Sequence, residues 1–139
     1  MFPILKQKNM PYQGFEQLEV WKKARGLKNE IAELVKQFPS EEKFRLTDQI
    51  IRSSRSIISQ IAEGHGRRIY PGRLRFCIIA RGSLSETLNH LVDAYDSKYI
   101  YSEVLYYFRN KIEELERILN GYIKFMDNKV NNKLSLSTF

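Results

Sequence analysis

The chain has 139 residues, of which 42% are hydrophobic, 28% charged and 12% aromatic. This suits one domain with a real core and excludes disordered, collagen-like and low-complexity chains. A single cysteine, Cys77, excludes an internal disulfide, and no run of about 18 apolar residues exists to cross a membrane. The 23 Lys+Arg against 16 Asp+Glu give a net charge of +7, which favours polyanionic partners.

In chain order, residues 1–13, with two prolines and Lys6 and Lys8, predict an extended arm. Neither a basic-then-apolar signal nor an arginine-rich transit segment is legible there, so a cytoplasmic location without membrane association is expected. From about Phe15 to Gln37 the residues Val20, Ala24, Leu27, Ile31, Leu34, Val35 and Phe38 recur at steps of three and four, one stripe of a helix that Pro39 stops. Ser40 is the expected N-cap of a second helix, with Glu41 and Glu42 in its first turn. Its stripe is Thr47, Ile50, Ile51, Ser54, Ile57, Ile58 and Ile61, and Gly64 and Gly66 are expected to supply the left-handed backbone that ends it.

The stretch Gly64–Gly72 holds three glycines, a proline, His65 and two arginines, and predicts a linker. A third stripe follows through Phe76, Cys77, Ala80, Ser83, Leu84, Thr87, Leu88, Leu91 and Tyr95. Helix propensity then fails around Ser97–Ser102, where Ser102 is positioned to cap a fourth helix. That helix carries Leu105, Phe108, Ile112, Leu115, Leu119, Tyr122 and Met126. Strand alternation is absent, so the expected class is all-α, an antiparallel up-and-down four-helix bundle over residues 14–127, with a polar tail over 128–139. Leu18, Trp21, Ile78, Ile79 and Tyr107 fall outside the stripes, together with Ile118 and Phe125. An apolar excess of this kind marks a contact surface, so self-association is expected through the first five.

Charge is concentrated in the middle of the chain. From Glu41 to Arg81 there are nine basic residues, eight of them arginine, against four acids. Guanidinium forks engage phosphate oxygens in pairs where lysine acts as a point charge, so this bias suits anion binding. Arg45, Arg52, Arg55, Arg67, Arg68, Arg73 and Arg75 are the candidate nucleic-acid-binding residues. Asp48–Arg52 and Glu63–Arg67 stand four apart in the favoured acid-first order and predict helical ion pairs. Ala80, Gly82 and Ser83 form a small-residue patch suited to close helix packing.

The ordered patches Phe15-x-x-Leu18-x-Val20-Trp21-x-x-Ala24, Phe38-Pro39-x-Glu41, Gln49-x-x-Arg52-x-x-x-Ser56-Ile57, Ile61-Ala62-Glu63-Gly64-x-Gly66-Arg67 and Ala80-Arg81-Gly82-Ser83-Leu84-x-Glu86 resemble the four helix bundle protein family. That family includes the proteins encoded in intervening sequences of bacterial 23S ribosomal RNA genes. A related branch comprises the accessory variability proteins of diversity-generating retroelements. The resemblance implies a ring-like homopentamer and, in the retroelement branch, a basic partner for a reverse transcriptase and its RNA. One departure is Gln60, where the family commonly has Asn before Ile61-Ala62-Glu63-Gly64; it bears on an amide contact at the end of the second helix.

Catalytic chemistry finds no foothold. His65 and His90 are 25 positions apart, and zinc-protease, paired-cysteine and phosphate-loop spacings are all missing. Glu86 and His90 stand four apart, once, where a di-iron bundle needs two Glu-x-x-His pairs. Cys77 on a core stripe reads as a small apolar filler. No enzyme activity, cofactor or metal is therefore expected. The reading is a non-enzymatic oligomeric basic scaffold that binds nucleic acid, RNA in particular, or a nucleic-acid enzyme such as a reverse transcriptase. The alternative is a protein-interaction bundle without nucleic-acid binding, and a third is an enzyme with an unrecognised site.

Overall fold

The apolar stripes become four helices: α1 (Glu19–Leu34), α2 (Leu46–Gly66), α3 (Tyr70–Asp96) and α4 (Ser102–Ser137). The structure, a computed structural model, describes residues 14–137 and the side chains of 14–132; the arm expected over 1–13 and the last two residues of the tail lie outside the described residues. Among the described residues there is no strand, and no helix is long and apolar enough to cross a membrane.

Each helix packs against the next, and α4 returns to α1. Neighbours run antiparallel, because numbers rise on one side of each seam as they fall on the other. Ser53 meets Thr87 and Ser56 meets Ser83, while Lys23 meets Glu114 and Glu30 meets Lys111. The core follows the stripes, with Ile31, Ile50, Ile57, Leu84, Leu91, Ile112, Leu115, Leu119 and Met126 all essentially inaccessible, while Tyr95 at the end of the third stripe is exposed. Each such side chain stabilises the fold by roughly 1.5–3 kcal/mol. Burial also takes in Ser53 on α2 and Ile123 on α4, which the stripes had not included.

Hydroxyls line the α2–α3 seam. Thr87 Oγ1 lies 2.8 Å from both Ser53 Oγ and the Ser83 carbonyl, Ser53 donates to the Ile50 carbonyl at 3.2 Å, and the Ser56 and Ser83 hydroxyls meet at 2.9 Å. Polar groups buried here are thus partnered, which is the condition for burying them without penalty.

Several boundaries differ from expectation. Ser40 does not cap α2: Ser40–Glu42 forms a separate 3-10 turn, and the helix starts at Leu46. Glu42 reaches forward to take its first amide, Leu46 N, at 3.0 Å. Val35–Gln37 closes α1 as a 3-10 turn, and Phe15–Gln17 forms another before it. The expected linker Gly64–Gly72 shrinks to Arg67–Ile69, because Pro71 and Gly72 belong to the first turn of α3, where a missing amide costs nothing. Neither Gly64 nor Gly66 is left-handed; Arg68 takes that conformation, at φ 66°. Ser102 lies inside α4, whose leading amides at Val104 and Leu105 bond to the Tyr101 carbonyl. Residues 128–137 of the expected polar tail continue α4.

Candidate nucleic-acid interface

The α2–α3 turn is built around a close approach. A Cβ on Gly64 would lie 2.9 Å from Phe76 Cβ and 3.3 Å from the Arg73 carbonyl oxygen, so glycine is what lets α2 and α3 cross tightly here. Arg67 and Arg68 turn the chain, with Arg67 N bonded to the Glu63 and Gly64 carbonyls and Arg68 N to that of His65. Ile69, extended at φ −105°, hands over to α3.

Four arginines meet this turn and differ in how they are held. Arg67 pairs with Glu63 at 3.2 Å, lays its guanidinium 4.9 Å from the Phe76 ring centre, and packs its stem where a Cβ on Gly72 would stand only 2.7 Å away. It is a strut. Arg73 is half-buried, and its Nε is enclosed without a partner among the described residues, as is His65 Nδ1. Arg68 and Arg75 are exposed and have no carboxylate partner among the described residues. The turn therefore offers unneutralised guanidinium groups, the donor type that forks onto phosphate oxygens.

The other three candidates lie elsewhere. Arg45, Arg52 and Arg55 are exposed along the outer side of α2, and Arg45 precedes the helix at the end remote from the turn. At 1.5 Å per residue it stands about 30 Å from Arg67. Arg52 pairs with Asp48 at 3.2 Å, as the spacing predicted. Arg55 edges a groove between α1 and α2 that also takes Lys28 and Asn29. The seven arginines thus divide between the length of α2 and the α2–α3 turn, and do not form one pocket.

The five apolar candidates also divide. Leu18 and Trp21 are half-buried against the chain's own core, with Trp21 stacked on Phe15 at 5.2 Å. Tyr107 is held on the α1–α4 seam by a hydrogen bond from its hydroxyl to Glu30, with Lys111 Nζ 5.3 Å from its ring centre. Ile78 and Ile79 are 43% and 40% exposed on the outer side of α3, so that this helix has apolar groups on both faces. Gly82, beside them, has open space above it rather than the packed neighbour expected, while Ala80 is fully buried.

Exposure is greater at residues the periodicity did not single out: Phe44 at 84%, Tyr101 at 79% and Tyr106 at 68%. They stand at the end away from the arginine cluster. The only advance sign of them was their position off every stripe. Cys77 is buried, and its thiol is pushed up to about 11 by burial, which outweighs the nearby Arg73 charge. No group of three or more metal-ligating side chains occurs among the described residues.

A family model described as "23S rRNA-intervening sequence protein" matches residues 16–121. Among solved structures, the chain is similar to a crystal structure of a protein of unknown function from the S23 ribosomal protein family of Bacteroides thetaiotaomicron. The two share 27% identity with a TM-score of 0.70, over 76% of this chain and 95% of the other. A comparison with curated proteins gives no match.

Proposed function

This chain belongs to the family of 23S rRNA-intervening sequence proteins, and from that premise we propose that it is a non-enzymatic basic scaffold that assembles as a homopentamer and binds RNA through its phosphates. The observation that carries the reading is the α2–α3 turn, where, among the described residues, Arg68 and Arg75 are exposed without acid partners and Arg73 Nε is enclosed without a hydrogen-bond partner. Arg52 and Arg55 extend the contact along α2. Ring assembly would repeat the turn once per subunit, joining small patches into a band matched to a polyanion. No base-reading motif accompanies the cluster, so the recognition is of backbone rather than sequence. The same basic surface suits a nucleic-acid enzyme such as a reverse transcriptase that itself carries RNA. Ile78 and Ile79, exposed on α3, supply the contact between subunits.

Fluorescence anisotropy with a labelled single-stranded oligoribonucleotide tests this. The expected result is affinity that falls steeply with salt. Changing Arg68→Gln and Arg75→Gln together flattens the slope of log K against log salt by about 1.4, two contacts at ~0.7 each. Unchanged affinity and slope in the double variant, or no binding by the parent, would overturn the RNA reading. Sedimentation showing a monomer at micromolar concentration would overturn the pentamer. The exposed Phe44, Tyr101 and Tyr106 favour a second reading, a protein-interaction bundle, which gains if RNA binding is absent while the oligomer persists.

A further inference from the structure

Aromatic rings border the α2–α3 turn. Tyr70 opens α3 two positions after Arg68, with their Cα atoms at most about 7 Å apart. Its ring meets that of Phe125 on α4 edge-on, with centres 5.9 Å apart and planes at 83°. Tyr70 is 40% and Phe125 47% exposed, and a pair crossed in this way leaves more ring face open than a stacked pair does. Lys129 Nζ stands 5.4 Å from the Phe125 ring centre and has no carboxylate partner among the described residues. Open rings are thus set between two unneutralised cations, Arg68 and Lys129. Phe44, Tyr101 and Tyr106 differ in this respect, because they share their end of the bundle with Asp93, Asp96 and Glu103.

We propose that this surface selects single-stranded RNA: unpaired bases stack on Tyr70 and Phe125 while the flanking phosphates meet Arg68 and Lys129. The proposal rests on the RNA reading of the turn given above and adds the part of the nucleotide that phosphate contacts ignore. Every base has a π face, so stacking tolerates any sequence, in keeping with a cluster that has no base-reading motif. In a duplex those faces are covered by the neighbouring pairs, and the A-form helix presents phosphates, 2′-hydroxyls and groove edges instead. Phosphate contact alone would favour the duplex, whose charge is denser and whose counterion release per contact is larger. A preference for the single strand is therefore the mark of the rings. Phe125 also borders Glu19 across the groove between α1 and α4, so the strand runs from Phe125 towards Arg68 and not into that groove.

Fluorescence anisotropy on the full chain compares a labelled, unstructured oligoribonucleotide of about 12 nucleotides with the same strand annealed to its complement. The parent is expected to bind the single strand more tightly than the duplex at equal salt. Tyr70→Leu and Phe125→Leu are each expected to weaken single-strand binding about fivefold, with helical circular dichroism and the slope of log K against log salt unchanged. Tyr70→Phe, which keeps the ring, should bind as the parent does, and so should Tyr101→Leu at the other end. A duplex bound as tightly as the single strand overturns the stacking and leaves the phosphate reading standing. Folded leucine variants that bind like the parent do the same. If a leucine variant loses helical signal, the comparison of single strand with duplex in the parent decides alone. No binding of either probe overturns the phosphate reading and the stacking together.

Discussion

The α2–α3 and α3–α4 turns solve one backbone problem in the same way and then diverge. Each is closed by a left-handed basic residue, Arg68 and Lys98, both at φ 66°. At the α3–α4 turn the backbone closure is complete and one aromatic ties it to α2. Lys98 N bonds to the Tyr95 carbonyl and Tyr99 N to that of Ala94, a Schellman closure of α3. Tyr99 then stacks on Phe38 at 5.7 Å and donates to Glu42, the residue that also caps α2. At the α2–α3 turn the packing is as tight but the polar groups are left over. Residues 63–75 carry four arginines and one glutamate, against three carboxylates and one lysine in residues 93–103. One turn ties an aromatic side chain back to the fold, and the other carries a surplus of guanidinium groups, two of them exposed without a carboxylate partner among the described residues.

The comparison breaks most sharply at Gly64. Gly64→Ala sets a methyl group against Phe76 and the Arg73 backbone, and the expected loss is about 1–3 kcal/mol in urea unfolding. Gly66→Ala, two residues on and free of neighbours, is expected to stabilise by about 0.5–1 kcal/mol. If both variants are neutral, the close crossing of α2 and α3 is not what that glycine provides.

Tyr99→Phe probes the satisfied turn. It removes the bond to Glu42 and is expected to lower the midpoint of urea unfolding, with any RNA affinity of the parent unchanged. A pH dependence goes with it. Desolvation, then the Glu42 hydrogen bond and charge, raise the Tyr99 hydroxyl pKa above its ordinary value of 10.0. The folded protein therefore holds this proton more tightly than the unfolded chain does. Its stabilising contribution is complete below that ordinary value and is lost as pH rises towards and through the raised one. Thermal melts between neutral and strongly alkaline pH should show a shallower decline for Tyr99→Phe than for the parent.

The smallest effects sharpen the likeness between the turns. Lys98→Gly and Arg68→Gly each relieve a left-handed backbone while loosening the unfolded chain, for a net gain of no more than about 1 kcal/mol. Only Arg68→Gly should also weaken RNA. Equal weakening by both would mean that net charge, not the turn, governs binding.

Sequence periodicity located all four helices because a core stripe is a local pattern, readable wherever apolar residues recur on one face. It failed where composition and role part company. Pro71 and Gly72 read as loop, yet proline suits a first helical turn and Gly72 makes room for the Arg67 stem. The polar residues after Met126 show no stripe, and so gave no sign that α4 continues. The same limit applies to the candidate site. Asp48–Arg52 and Glu63–Arg67 were readable because partners four apart lie on one helix or on a helix and the residue that closes it. Arg67 over Phe76 and Tyr107 with Glu30 join different helices, and no spacing along the chain encodes them.

The hydroxyls between α2 and α3 act as an alignment key. Two apolar helix faces can slide by a turn, about 5.4 Å, and still bury oil against oil. A slip that sets Ser53, Thr87, Ser56 and Ser83 against leucine and isoleucine breaks the two hydroxyl bonds that cross the seam, each worth about 0.5–1.5 kcal/mol net. The ladder thus rejects shifted pairings that greasy contact alone would tolerate. In doing so it fixes which turn of α3 stands beside Gly64, and with it the height at which the arginines are presented.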